Sequence, residues 1–234
     1  MTPRRAIVLL SGGLDSATCL AIARRDGFEC HALSIDYGQR QRAELAAAAR
    51  TAKALGAASH RVVAVDLRSL GGSALTSDAI EVPKDRTDAE IGRGIPSTYV
   101  PARNLVFLAV ATAAAEATGA DAVYLGINAL DTSGYPDCRP EFLAAFRAVA
   151  ALGTKRGVEG RPVEYRAPLE RESKAGIARL ATTLGVPVAD TLSCYDPATS
   201  SGGATVHCGR CDACRLRRRG FEEAGIADPT AYAR

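Results

Sequence analysis

The chain has 234 residues, enough for one sizeable α/β domain with a small appendage, and 47% apolar content supplies a core. Tryptophan is absent, aromatics are 5% and net charge is +3, which argues against a stacking or strongly basic nucleic-acid platform. No stretch approaches the roughly 18 apolar residues of a membrane span, and the run after Arg4 and Arg5 breaks at Ser11-Gly12-Gly13, too short for a signal peptide.

Candidate strands are short, β-branched and nearly continuous: Ala6–Leu10, His31–Asp36, Arg61–Leu67 and Ala122–Ile127. Strands of that kind suit a parallel sheet covered on both faces. Helical patterns lie between them. Leu14, Ala17, Leu20 and Ala21 mark one face of a helix that Gly27 can stop. A second helix runs from Gln39 to Gly56, and a nearly apolar one from Asn104 to Gly119 reads as buried against the sheet. Arg139–Gly153 and Glu172–Gly185 supply two more. Alternation of this kind predicts right-handed βαβ units in a Rossmann-like, doubly wound, mostly parallel sheet. The segment from Gly71 to Pro101 fits no element and reads as a flap over a site or a partly mobile stretch. "DPATSSGGATV" (Asp196–Val206) is also read as irregular.

The turn after the first strand, "SGGLDS" (Ser11–Ser16), leads straight into a helix. Gly12 and Gly13 would let a phosphate approach the backbone, with Ser11 and Ser16 adding hydroxyls; a tight turn with glycine for geometry alone is the alternative. No Lys-Ser/Thr follows, and GxGxxG is absent, so neither the triphosphate loop nor the dinucleotide fingerprint applies. Near the other end, "HCGRCDAC" gives C-x2-C-x2-C, with Cys194 thirteen intervening residues upstream of Cys208. Cys194, Cys208, Cys211 and Cys214 match a structural tetrahedral zinc site, one ion per chain. A redox or iron–sulfur role is the competing reading, and His207 is a spare ligand. The odd total of seven cysteines and their clustering argue for a reducing compartment and a cytoplasmic protein. Cys19 and Cys30 read as small apolar core groups. The basic "RLRRR" that follows is read as a solvated helix face rather than a nucleic-acid reader.

"SGGLDS" resembles the SGGxDS signature of the ATP pyrophosphatase, or PP-loop, family. Taken with "DYGQRQRAE", "VPARN", "GINALDTSGYPDCRPEF", "APLERESKAGI" and "SCYDP…CGRCDAC" in one order, the whole chain resembles the QueC/ExsB family of queuosine biosynthesis. The resemblance implies an adenine nucleotide alpha hydrolase-like fold, with an ATP-binding domain over 1–190 and a zinc-binding region over 191–234 packed on it. It implies ATP-dependent conversion of 7-carboxy-7-deazaguanine and ammonia to the 7-cyano product, preQ0, with Mg2+ and free ammonium, by adenylation, amide formation and dehydration. It further implies a homodimer, and no nucleic-acid or membrane partner.

By carry-over, ATP would contact Leu10, Ser11, Gly12, Gly13, Leu14, Asp15 and Ser16, with Ala17, Thr18, Cys19 and Leu20 closing the segment. Asp15 would help place magnesium; a helix N-terminal carboxylate is its plainer role. Lys174 and Arg103 would reach the phosphates, a surface ion pair being the alternative for Arg103. Asp36 ends a strand and faces ribose or adenine in this reading. Asp131, Asp137 and Arg139 would read the guanine-like edge or the carboxylate, with Tyr135 stacking; Asp137 could instead cap the helix near Arg139. Cys138 beside this loop reads as a buried spectator thiol. The chain departs from the family at Gly176, where an acidic residue is common. Two other readings compete: a PP-loop enzyme acting directly on tRNA, which would want an RNA-binding domain, and a non-catalytic zinc-bearing nucleotide module, which would not need Lys174.

Overall fold

The computed structural model describes residues 3–91, 93–130 and 134–233. Five parallel strands form one sheet: β1 (Arg5–Leu9), β2 (Glu29–Asp36), β3 (Ser59–Ala64), β4 (Ala122–Tyr124) and β5 (Glu164–Arg166), in the order β3-β2-β1-β4-β5. The doubly wound parallel sheet is therefore as expected. The fifth strand is an addition, three residues at one edge. The chain winds outward from β1 through β2 to β3, then returns to the other side of β1. The switch point lies between β1 and β4, where open α/β sheets place their ligands.

The flanking helices are α1 (Leu14–Arg25), α2 (Ala43–Ala54), α3 (Asp88–Ile91), α4 (Arg103–Thr118), α5 (Pro140–Gly153), α6 (Lys155–Val158), α7 (Lys174–Thr183) and α8 (Asp212–Ala224). Alternating side chains explain why the central strands β1, β2 and β4 are largely apolar. Edge strand β3, expected to be an apolar strand covered on both faces, is instead largely exposed, with Val62 facing solvent. Ala6, Val8, Cys30, Ala32, Ala122 and Tyr124 pack in one cluster with α1, α7 and Phe221 of α8. Ile7, Leu33, Ile35, Val123 and Tyr165 pack in the other with Leu108, Ala111 and Ala115 of α4 and Leu143 and Phe146 of α5. Both faces of the central strands are thus dry, as buried parallel strands require.

One helix differs from expectation in its burial. The nearly apolar α4 buries only Leu108, Ala111, Thr112 and Ala115, and Leu105 is exposed. On α5 and α6, Val149, Leu152 and Val158 are likewise exposed. Among the described residues no helix is long and apolar enough to cross a membrane.

The segment from Gly71 to Pro101 carries α3 and lies against the C-terminal region. Lys84 and Cys211 form an antiparallel bridge, and Asp85 N donates to Arg210 O at 2.9 Å. Ion pairs Lys84–Asp196 (2.7 Å), Arg86–Asp212 and Arg210–Asp85 reinforce the contact. "DPATSSGGATV" contains a short antiparallel pair, β6 (Ala198–Thr199) with β7 (Thr205–Val206), which brings the chain back from Cys194 to Cys208.

Candidate functional site

The carboxyl ends of β1, β2 and β4 open on a cavity of about 280 Å³. Its floor is the glycine turn. Leu10 N donates to Leu33 O (2.9 Å), fixing the end of β1 to β2. Ser16 Oγ donates to Gly13 O at 3.0 Å and accepts from Ser11 N at 3.1 Å, so the two serines brace the turn. Gly13 caps α1 without a side-chain hydrogen bond of its own, and the first turn of the helix lines the cavity with Leu14 N held by Ser193 Oγ at 3.3 Å. Leu10, Ser11, Gly13, Leu14, Asp15 and Ser16 line the cavity. Ala17, Thr18, Cys19 and Leu20 of the expected nucleotide segment are buried around α1, which packs against the sheet, α2 and α7, and do not line the cavity. Thr18 Oγ1 returns to Leu14 O (2.8 Å), and burial pushes the Cys19 thiol well up.

Asp15 and Lys174 meet across the cavity. Lys174 Nζ lies 2.6 Å from Asp15 Oδ2, and Asn128 Nδ2 donates to the same oxygen at 2.9 Å. Elements remote in sequence converge here: α1 carries Asp15, the end of β4 leads to Asn128, and α7 begins at Lys174. Ser173 caps α7 by accepting Gly176 N at 3.1 Å. At Gly176 a Cβ would lie 2.2 Å from Glu172 Oε2, so the glycine makes room for that carboxylate at the helix start.

The opposite wall comes from β2, α2 and α4. Arg103, first residue of α4, sits over Tyr37 (5.7 Å) and Phe107 (5.9 Å). Glu44 accepts from Gln39 Nε2 at 2.9 Å, and desolvation by burial pushes its carboxyl up to about 7. Burial likewise raises the Tyr37 phenol to about 12. Asp36 pairs with Arg42 and Gly38 N rather than lining the cavity. Tyr135 lines the cavity with its hydroxyl 3.1 Å from Thr98 Oγ1.

Asp137 is buried behind that wall and caps a different helix from the one its sequence position suggests. Its Oδ2 accepts Asn104 N at 2.8 Å, at the start of α4. Arg139 is exposed as the N-cap of α5 and lies off the cavity, and Asp131 lies outside the described residues. Glu44, Asn128, Ser193 and Arg217 are cavity-side or supporting groups that sequence reasoning did not single out. For Glu44 a signal existed, since it closes the "DYGQRQRAE" stretch.

The four cysteines gather beside the cavity, and Cys194 is part of its lining. All four Sγ atoms lie within 4.8 Å of one another. Cys194–Cys211 and Cys208–Cys214 are each 3.9 Å apart, close to the roughly 3.8 Å edge of a tetrahedron with zinc–sulfur bonds near 2.3 Å. Backbone N–H groups already point at the sulfurs: Cys208 N to Cys194 Sγ (3.2 Å) and Cys211 N to Cys208 Sγ (3.3 Å). Cys211 caps α8 and Cys214 sits in its first turn, where the helix N-terminus favours thiolates. Hydrogen bonds from Cys194 and Cys214 hold the Cys211 thiol well below the ordinary range while those two partners are pushed up. The donor set fits a metal ion. His207 is no fifth ligand candidate in this arrangement: its Nε2 accepts Ser193 N at 3.1 Å. The basic run is engaged within the fold, with Arg217 buried against Asp228, Arg218 over Tyr232 (3.8 Å) and Arg219 paired with Asp88 (2.6 Å).

Comparison with known proteins agrees with this geometry. The family model described as queuosine biosynthesis protein QueC matches residues 5–225. A 7-cyano-7-deazaguanine synthase of Anaeromyxobacter dehalogenans is 62% identical over 231 residues, covering 99% of this chain and 97% of that protein. One from Aromatoleum aromaticum is 61% identical, covering 98% of each. Among solved structures, the NMN synthetase of Francisella tularensis superposes with a TM-score of 0.50 at 16% identity, over 97% of this chain and 79% of that one, a likeness of fold.

Proposed function

The chain belongs to the QueC family of queuosine biosynthesis proteins, and on that premise we propose that it is a 7-cyano-7-deazaguanine synthase. It is an enzyme of the carbon–nitrogen ligase type, turning 7-carboxy-7-deazaguanine and ammonia into the nitrile with ATP. What carries the reading is its agreement with one cavity in which the glycine turn, Asp15, Lys174, Arg103 and Tyr135 meet at the switch point. In this reading residues 1–190 form the ATP-binding domain and residues 191–234 a metal-binding region packed on it.

The chemistry follows from the substrate. A carboxylate is a poor acyl donor, so one oxygen attacks the α-phosphorus of ATP, releasing pyrophosphate and leaving an acyl adenylate. Ammonia displaces AMP to give the amide. The amide oxygen attacks the α-phosphorus of a second ATP, releasing pyrophosphate, and loss of AMP together with both amide N–H protons leaves the nitrile. The chain's share is positioning and charge. The N-terminal dipole of α1 and the serine hydroxyls favour the pyrophosphate oxygens as negative charge builds on them. Lys174 is held at the cavity by Asp15 and supplies a cation there. Magnesium on the phosphates would draw on Asp15. Zinc is the ion that best suits four thiolates, and Cys194, Cys208, Cys211 and Cys214 would hold it as a structural staple. Exposed Val149 and Leu152 on α5 support a homodimer, and four cysteines grouped as for a metal ion support a reducing, cytoplasmic setting.

The direct test incubates the purified protein with ATP, ammonium and 7-carboxy-7-deazaguanine. AMP and pyrophosphate should appear together with the nitrile. If neither the nucleotide products nor the nitrile forms, the assignment fails.

A further inference from the structure

The C-terminal region touches the glycine turn directly. Leu192 N donates to Gly12 O at 2.8 Å, and Ser193 Oγ accepts Leu14 N at 3.3 Å. Ser193 Oγ also accepts from Arg217 Nη1 at 3.2 Å. Both donors are N–H groups with no acceptor capacity, so the direction of these bonds is fixed. A hydroxyl has two lone pairs and one proton. Leu14 and Arg217 take the lone pairs, and the proton is left as a donor.

That proton belongs to a side chain on the cavity wall. Ser193 lines the cavity, and a Cβ built on Gly13 would stand 3.6 Å from its Oγ. The hydroxyl therefore sits against the part of the turn that faces incoming phosphate. Its placement is enforced from behind. Ser193 N donates to His207 Nε2 (3.1 Å), the next residue is Cys194, and Arg217 is itself buried among Thr191 Oγ1 (2.9 Å), Val188 O (3.1 Å) and Asp228 (3.4 Å). Arg217 follows Cys214 by three residues on α8, so the same helical face carries a cysteine of the cluster and the brace for Ser193.

We propose that Ser193 is a further nucleotide-binding residue, donating its hydroxyl to the pyrophosphate portion of ATP, and that the four-cysteine region reaches the nucleotide through it. The inference rests on the ATP-using reading above. It assigns to the C-terminal region a contact that the glycine-turn motif alone does not contain.

The test compares binding of a non-hydrolysable ATP analogue and of AMP to the full chain by calorimetry, without deazapurine or turnover. Ser193→Ala should weaken the ATP analogue about tenfold or more, the loss expected for a hydrogen bond to a charged group, and leave AMP binding unchanged. Ser193→Thr keeps the hydroxyl and should restore binding. Should Ser193→Ala not fold, Ser193→Cys supplies the same comparison with a weak S–H donor. Equal losses for both nucleotides, no loss for the analogue, or failure of threonine to rescue would overturn the proposal. Failure of the unaltered protein to bind the analogue would instead count against the ATP-using reading.

Discussion

Alanine at Gly12 and alanine at Gly13 should have opposite signatures, although the two glycines are adjacent and look equivalent in sequence. Gly12 has φ +88°, and a Cβ there would lie 2.3 Å from Glu44 O and 2.8 Å from Ala48 N. Both atoms belong to the backbone of α2, so no rotamer change relieves the contact. The helix must retreat by roughly 1 Å to reach a normal separation. The left-handed backbone adds about 1–2 kcal/mol for any residue with a Cβ, and displacing a packed helix costs about 1–3 kcal/mol. Gly12→Ala should therefore lose about 2–5 kcal/mol of a total stability on the order of 5–15 kcal/mol. Gly13, by contrast, has φ −81° and ψ 165°, which alanine adopts freely. The nearest atoms to a Cβ would be Ser11 Oγ at 3.5 Å and Ser193 Oγ at 3.6 Å. Gly13→Ala should stay within about 1 kcal/mol of the parent and instead weaken ATP, because its methyl enters the cavity. Urea denaturation and nucleotide titration of both variants measure the two effects. Equal stability losses, or a Gly12→Ala protein as stable as the parent, would refute the argument.

Glu44 gives a pH dependence whose sign is fixed by burial. Its carboxyl is raised from 4.5 to about 7 in the fold, so the protonated form is favoured; its stability contribution is intact below 4.5 and lost as pH rises through about 7. Glu44→Gln should accordingly gain on the parent between pH 5 and 8, by up to about 3 kcal/mol, and a gap in urea midpoints that does not change with pH would contradict this. Ala102 has φ 54° just before α4, so Ala102→Gly should raise stability by up to about 1 kcal/mol once glycine's greater unfolded-state freedom is subtracted; a loss in thermal or urea midpoint would mean the strain is absent. Cys211→Ala should abolish tight metal retention measured by atomic emission, and unchanged metal content would remove Cys211 from the site. Lys174→Met keeps the aliphatic stem and removes the charge that faces Asp15; AMP release should fall about a hundredfold or more with little change in the melting curve, and near-normal turnover would exclude Lys174 from the chemistry.

The sheet was legible because its central strands are dry on both faces. Val8 and Ile7 point opposite ways and both are buried, which writes an unbroken apolar run into the sequence. The edge strand β5 carried no such signal. Glu164–Arg166 buries only Tyr165, and its charged neighbours make ion pairs at the surface. The expected strand Ala122–Ile127 keeps its ladder only to Tyr124, because the chain then leaves the sheet to pass Ser16 at Gly126. Local motifs found the glycine turn and the cysteines, since each is defined by residues close together in the chain. Ser193 and Asn128 could not be found that way: their partners, Leu14 and Asp15, lie 179 and 113 positions off. Asp137 shows the same limit, since it caps α4 through Asn104 rather than the helix that follows it.

The bond between Leu14 and Ser193 also bears on how the protein is made. The turn leaves the ribosome well before the segment that closes it, because Leu14 and Ser193 lie 179 positions apart and synthesis runs at about 5–20 residues per second. Until Leu192 and Ser193 emerge, the Gly12 carbonyl and the Leu14 amide face water in place of their final partners. A nascent chain can assemble β1 and β2 early, yet it completes this wall of the cavity only after Ser193 has emerged. Closure of the glycine turn thereby waits on synthesis and docking of the segment that leads into the cysteine cluster.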